Sequence, residues 1–294
     1  VSKHMPSYDK KTRIPTLDEV FDLLKQRITV GVIGAVFAVL VLCLGVKFVA
    51  AAVALVALIG LSEIYSAVGL LKTQNKLCVF GYIYTAAVFV IVTISSRPAF
   101  ALGILSCIYG IGLLVYMIFN HNVVGFAEVS ELFFSTSYVT VLLAHIVILR
   151  KETLGNYFIW IVFITAWLSD TMAFAVGRRF GRNKLLPEVS PKKTVEGALG
   201  GLAGSVLFNL IFGVICSSFF GRSVYYMQLI LLALVAGAMS QLGDLAASCI
   251  KREHGIKDFS NLLPGHGGIL DRFDSVLFVA PVVYYFVVIF SVIA

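Results

Sequence analysis

Leu77-Cys78-Val79-Phe80-Gly81-Tyr82-Ile83-Tyr84-Thr85-Ala86-Ala87-Val88-Phe89-Val90-Ile91-Val92-Thr93-Ile94-Ser95 runs for nineteen residues without a charged side chain. About 20 apolar residues, at about 1.5 Å of helical rise each, cross the hydrocarbon core of a bilayer. The run lacks the period-two alternation of a barrel strand, and lipid requires every backbone group to be paired within the segment, so the stretch reads as a transmembrane helix. Working outward, the same reading fits 28–46 and 48–71 before it, and 98–119, 130–149, 154–177, 197–220, 226–247 and 274–293 after it. The boundary between the first two is marked only by Gly45 and Lys47, whereas Glu128 and Glu131 precede the fifth and Arg150 and Lys151 follow it. The expectation is an all-α, polytopic integral membrane protein with about nine transmembrane helices.

The composition agrees. Of 294 residues, 59% are hydrophobic and 13% are charged, and the mean hydropathy is +0.95. A soluble domain carries about 25% charged residues, so this chain has too few to cover a soluble surface. An ordinary cytosolic enzyme, a coiled coil and a disordered chain are excluded. The five cysteines (Cys43, Cys78, Cys107, Cys216, Cys249) stand singly, which gives neither a disulfide framework nor zinc-site spacing, and they read as packing residues. No repeat of 20–50 residues supports an inverted-repeat transporter.

The net charge of +7 informs through its placement. With the N-terminus inside, eighteen of the 23 Lys and Arg residues fall on the cytosolic side and five outside, as the positive-inside rule prefers. This places the N-terminus in the cytosol, the C-terminus outside, and the polar loops 178–196 and 248–273 together on the cytosolic face. Residues 1–27 form a cytosolic N-terminal segment. Its first five residues resemble a cloning remnant, no signal peptide follows them, and 17–24 reads as a short amphipathic surface helix. Residues 28–150 form an apolar helical bundle, and 151–294 a membrane region that carries the chemistry. Within 28–150, Glu63 and His145 are the ionisable groups well inside spans. Glu63 reads as an interfacial carboxylate that snorkels, and His145 as a residue hydrogen-bonded within the bundle.

Most of the unusual polar residues fall in 169–275. Asp170, in Ser169-Asp170-Thr171, sits inside an apolar run, where an ionised carboxylate costs several kcal/mol unless paired or metal-bound. Gly177-Arg178-Arg179-Phe180-Gly181-Arg182 ends that helix and reads as a topology stop or a phosphate contact. In Ser190-Pro191-Lys192-Lys193-Thr194-Val195-Glu196-Gly197, Ser190 fits an N-cap with Pro191 at the first helical position. Lys192 and Lys193 would then oppose the helix dipole, an arrangement suited to collecting an anion. Gly197, Gly200, Gly201 and Gly204 follow at the spacing of close helix packing. On a helix, Asp244, Ser248 and Lys251 share one face. The glycines Gly265, Gly267 and Gly268 around His266 could turn backbone N–H groups onto one oxyanion. Asp271 and Asp274 lie on one face at the start of the last span. Carboxylates interleaved with Lys and Arg suit a Mg²⁺-nucleotide site: oxygens hold the hard cation, and cationic side chains hold phosphates.

The run from Ser248-Cys249-Ile250-Lys251-Arg252 through Lys257-Asp258 to Leu263-Pro264-Gly265-His266-Gly267-Gly268-Ile269-Leu270-Asp271-Arg272-Phe273-Asp274 closely resembles the signature of the phosphatidate cytidylyltransferases, the CDP-diacylglycerol synthases. Ser169-Asp170-Thr171 with Gly177-Arg178, and Ser190-Pro191-Lys192-Lys193-Thr194 with Glu196-Gly197, resemble that family's other patterns. The resemblance is strong over roughly 160–290. It implies transfer of CMP from CTP to phosphatidic acid, giving CDP-diacylglycerol and pyrophosphate. It also implies Mg²⁺, with a second cation plausible, and a homodimer in a bacterial plasma membrane with the site facing the cytosol and no nucleic-acid partner. Asp271, within the signature, and Asp244, which precedes the signature by four residues and rests on the helix face shared with Ser248 and Lys251, are expected metal ligands, with Asp274 and Asp170 as further candidates. Lys251 and Arg272 join Asp244 and Asp271 as expected catalytic residues. Lys192, Lys193, Ser248, Arg252, Lys257, Gly265, Gly267 and Gly268 are expected at the substrates. His266 could protonate the leaving pyrophosphate or serve as a hydrogen-bonding loop residue. A cytidylyltransferase for an ether-lipid phosphate, and a transporter with a basic vestibule, are the alternatives; the crowding of ionisable groups at one face argues against the second.

Overall fold

Hydrophobic faces that bury only against one another or against lipid leave helices as the main element. The computed structural model describes residues 17–294. The expected remnant at 1–5, and most of the N-terminal segment, lie outside those residues. The helices are α1 (Leu17–Cys43), α2 (Val46–Ala67), the single turn α3 (Leu70–Thr73), α4 (Asn75–Ile94), α5 (Pro98–Phe119), α6 (Phe126–Lys151), α7 (Gly155–Phe163), α8 (Ser169–Phe180), α9 (Val195–Phe220), α10 (Tyr226–Glu253) and α11 (Leu270–Ile289). A π-helical turn, Ile164–Leu168, joins α7 to α8 so that the two form one span.

Among the described residues, eight helices are long and apolar enough to cross a membrane. They correspond to the second to ninth expected spans. The first expected span lies in α1, whose described apolar part is Gly31–Cys43. The helix expected at 17–24 is not a separate element, because α1 continues through it without a break.

The main departure from a purely helical chain is a small antiparallel pair, β1 (Lys184–Leu186) and β2 (Ser190–Thr194). The sequence reading placed a helix N-terminus at Ser190. Instead Ser190–Thr194 pairs with β1, and α9 begins at Val195, capped by Thr194 Oγ1 accepting from Gly197 N at 3.1 Å. Lys192 and Lys193 therefore lie on a strand and do not oppose a helix dipole.

Helix α6 is central, packed against α2, α4, α5 and α11, and most of its residues from Val129 to Leu149 are buried. At its C-terminal end Arg150 donates to Leu44 O (2.9 Å), and Lys151 Nζ donates to the carbonyls of Val92, Thr93 and Ser95. These cations satisfy the last carbonyls of neighbouring helices, where the dipole also favours positive charge. In the second half, α8 lies directly on α9 because Gly200 and Gly204 leave room for Val176 and Met172. At the end of the bundle away from the polar loops, Ser223 and Ala294 exchange backbone hydrogen bonds.

Candidate active site

The polar residues gather at the opposite end of the bundle, where α2, α8 and α10 finish and α9 and α11 begin. The two loops singled out in the sequence meet there: Arg252, at the end of α10, donates from Nε to Val189 O in the hairpin (3.3 Å) and from its guanidinium to Ile256 O (2.9 Å). Arg252, expected at a substrate phosphate, thus ties loop to loop. Gly31 of α1 also lies here, its Cβ direction leading to His266 Nε2 at 3.5 Å.

A chain of alternating charge runs through this end. Lys193 pairs with Asp244 at 2.5 Å, with both side chains half-buried. Ser248 Oγ donates to Asp244 Oδ1 at 3.4 Å, as one turn of helix dictates. Three residues further along α10, Lys251 pairs with Asp271 at 2.7 Å, and there the side chains are only 10% and 2% exposed. Lys251 also lies 5.2 Å from the centroid of the Phe259 ring. Beside this chain is a cavity of about 540 Å³ lined by Asp170, Arg178, Lys184, Lys192, Lys193 and Asp244, with Thr194 and Gln241 in its wall. Arg178, Lys184 and Lys192 are exposed. Four cationic side chains surround two carboxylates there, leaving a net positive field in the cavity.

The π turn ends at Leu168, two residues before Asp170, and π turns recur at functional positions because the extra residue re-aims the side chains that follow. Asp170 Oδ2 accepts from Ser275 Oγ at 3.0 Å, and Asp274 Oδ1 accepts from Ser275 N at 2.8 Å, so one serine of α11 links the two carboxylates. Among the described residues the ion pairs are Lys193–Asp244 and Lys251–Asp271, and Arg272 is exposed.

The glycine turn differs most from the sequence reading. Gly265 and Gly267 do adopt positive φ (73° and 83°), and Leu263 N donates to Gly267 O at 2.8 Å. However, the N–H groups that follow already hold carboxylates of the protein itself. Asp271 Oδ2 accepts from Gly268 N and Phe259 N, each at 2.9 Å. Glu63, from α2, accepts from Ile269 N (2.9 Å), Leu270 N (2.7 Å) and Ser260 Oγ (2.6 Å). The oxyanion cradle expected for substrate is thus filled from within. Glu63, read from sequence as a snorkelling interfacial residue, is 5% exposed, because three donors of the loop converge on it. His266 Nδ1 makes a 3.5 Å contact to Pro264 O in its own loop, and Lys257 is exposed. His145 bonds Val141 O within α6 at 2.8 Å.

Sequence reasoning missed Lys184 and Gln241 at the cavity. It also gave no structural role to Glu196, which accepts from Arg182 N and from Asn183 and so fixes the loop before the hairpin. The signal was present in one case only: Glu196 lies three residues after the paired lysines, in the same motif, whereas Lys184 and Gln241 sit in unremarkable surroundings.

The structure is a polytopic helical bundle with basic side chains and carboxylates gathered at one end. The chain belongs to the cytidylyltransferase family, which it matches over residues 25–290. It is 37% identical over 180 residues to a phosphatidate cytidylyltransferase of Bacillus subtilis, covering 61% of this chain and 65% of that protein. It is 38% identical over 169 residues to one of Staphylococcus saprophyticus, covering 58% and 63%. The matched stretch is therefore less than two thirds of the length of either relative.

Proposed function

We propose that this protein is a CTP:phosphatidate cytidylyltransferase, a nucleotidyltransferase of phospholipid biosynthesis. The observation that carries the reading is the run Lys193–Asp244, Ser248, Lys251–Asp271 beside a basic cavity at one end of a membrane bundle. One substrate is a soluble triphosphate and the other a lipid, so they can meet only where cavity and bilayer edge adjoin. The names of the two relatives supply the lipid substrate.

In this reading a phosphate oxygen of phosphatidic acid forms a bond to the α-phosphorus of CTP. The bond from that phosphorus to the β-bridging oxygen breaks, and pyrophosphate leaves. A phosphate monoester is already nucleophilic, so catalysis rests on positioning and charge neutralisation. Arg178, Lys184 and Lys192 hold the triphosphate in the cavity. Lys193 and Lys251 compensate Asp244 and Asp271 and lie within the same polar run, where they can also meet phosphate. The donor set fits Mg²⁺, which takes one or two carboxylates and completes its shell with substrate phosphates and water. Asp244 and Asp271 would hold it, with Asp274 and Asp170 as further oxygen donors. Among the described residues no three acidic, His or Cys side chains form a ready-made cage, so the substrate phosphates share in the shell. The bound cation would neutralise charge on the phosphoryl oxygens. The distribution of Lys and Arg and the bacterial relatives support placing the site at the cytosolic face of a bacterial plasma membrane, and the family resemblance supports a homodimer.

The test uses purified protein, labelled CTP, and phosphatidic acid, an ether-linked lipid phosphate or diacylglycerol, with and without Mg²⁺. Label is expected in lipid only with phosphatidic acid and Mg²⁺ together, with pyrophosphate released in equal amount. Exclusive use of the ether lipid would move the assignment to the neighbouring activity, and no transfer to any lipid phosphate would refute it.

A further inference from the structure

The N-terminal half of the chain sends one carboxylate into the polar end of the second half. Glu63 lies near the C-terminal end of α2, more than 190 residues from the loop it binds. Its Oε1 accepts from Ser260 Oγ and Ile269 N, and its Oε2 accepts from Leu270 N. The loop is shaped to receive it: a Cβ on Gly268 would lie 2.6 Å from both Glu63 oxygens. The first N–H groups of a helix have no partner within the helix. At the start of α11 Glu63 takes the N–H groups of Ile269, the N-cap, and Leu270, while Asp271 takes that of Gly268 just before them. The dipole of α11 favours negative charge at the same place.

We propose that Glu63 is a positioning residue: by clamping residues 260–270 from α2, it sets where Asp271 stands against Lys251. Among the described residues the hydrogen bonds of Glu63 go to Ser260, Ile269 and Leu270, so it acts on the reacting groups through that loop. The proposal rests on the cytidylyltransferase reading of the Lys251–Asp271 pair. It also gives the apolar half a part in the chemistry, as a rigid base that adds to the hold Asp271 and Arg252 already have on the loop.

The test is a set of variants assayed in detergent with CTP, phosphatidic acid and Mg²⁺, alongside hydrogen exchange of the 259–271 segment. Glu63→Gln keeps the size and one acceptor but turns an NH₂ group toward a backbone donor. It is expected to fold and to speed exchange at Ile269 and Leu270. kcat should fall by about tenfold to a hundredfold, the scale of a small misplacement of reacting groups, while KM for CTP stays within about twofold, because the cavity lysines are untouched. Gly268→Ala should reproduce the loss in the native background, and it should cost little more in a Glu63→Ala background, where the opposing carboxylate is gone. Wild-type kcat in Glu63→Gln, or additive losses in the double variant, overturns the proposal. A loss that follows the folded fraction alone does the same. If the wild-type protein transfers nothing, the activity reading fails, and the exchange rates of Ile269 and Leu270 alone decide whether Glu63 clamps the loop.

Discussion

Asp271 is buried with a lysine on one oxygen and two backbone N–H groups on the other. Asp271→Asn therefore tests more than metal affinity. It leaves Lys251 charged and nearly buried without its counter-ion, which typically costs about 3–5 kcal/mol. The amide also turns a donor toward Lys251 or toward the loop N–H groups. We expect this variant to be nearly inactive and to melt measurably lower than wild type. Asp274→Asn, whose Oδ1 accepts from a backbone N–H and which holds no ion pair among the described residues, should melt closer to wild type. Comparing thermal midpoints with kcat for the pair separates the two effects. An Asp271→Asn protein with activity within about threefold of wild type, on a logarithmic scale where tenfold is about 1.4 kcal/mol, would remove Asp271 from the chemistry. Lys192 presents the contrasting case, exposed at the cavity mouth. Lys192→Ala should leave the thermal midpoint unchanged and raise KM for CTP, since a lost charge-assisted contact to phosphate weakens binding by about 1.5–3 kcal/mol. An unchanged KM would leave Lys192 as a topology charge only.

What the sequence revealed at this scale followed helical period. Asp244, Ser248 and Lys251 were placed on one stripe because spacings of four and seven residues fix a helix face, and the contacts Ser248–Asp244 and Lys251–Asp271 lie along it. The occupant of the glycine turn was hidden, because a conformation can be read locally whereas Glu63 arrives from more than 190 residues away. The chemistry of a cradle for anions was legible, but the particular anion was not.

At the scale of elements, apolar length fixed the helices, and local pairing overrode capping signals. Ser190-Pro191 looks like a helix start, yet β1 is within reach and Thr194 offers a better cap against Gly197 N. The α8–α9 contact was legible in kind, because small residues at a spacing of three or four allow helices to approach. Its closeness is testable. A Cβ on Gly200 would lie 2.5 Å from Val176 Cβ, whereas one on Gly112 of α5 meets nothing within 4 Å. Gly200→Ala must push α8 away or strain the contact, at a cost of about 1–3 kcal/mol for overpacking. Gly112→Ala should be neutral or slightly stabilising, because alanine is the better helix former. Thermal unfolding in detergent should separate the two variants by several degrees. Equal midpoints would mean that the α8–α9 interface yields freely and does not hold Asp170 in place.

For the whole molecule, orientation rests on the positive-inside distribution, and the structure changes how that distribution should be weighed. Arg150 and Lys151 were counted as charges on the outer side, but both are consumed in capping the chain ends near Leu44 and Val92–Ser95. Their position is accounted for by packing, so they carry little weight against the assignment, and the contrast between the two sides is sharper than the raw count. The loops expected to share one side are joined by Arg252, and Gly31 brings the start of the apolar part of α1 to the same end. Both loops must therefore face one compartment, whichever it is. We expect single cysteines at Asn183 and Asn261, both exposed, to resist a membrane-impermeant maleimide in intact cells and to react after the membrane is opened. Cys43, Cys107 and Cys249 are themselves exposed in the protein, so the experiment requires a background in which the native cysteines are replaced. A cysteine in place of Arg222, at the far end of the bundle where α9 gives way to α10, should show the reverse pattern. Labelling of positions 183 and 261 from outside would place the cavity away from cytosolic CTP and refute the proposed orientation. Labelling of one but not the other would contradict the hydrogen bond from Arg252 to Val189 that holds the two loops together.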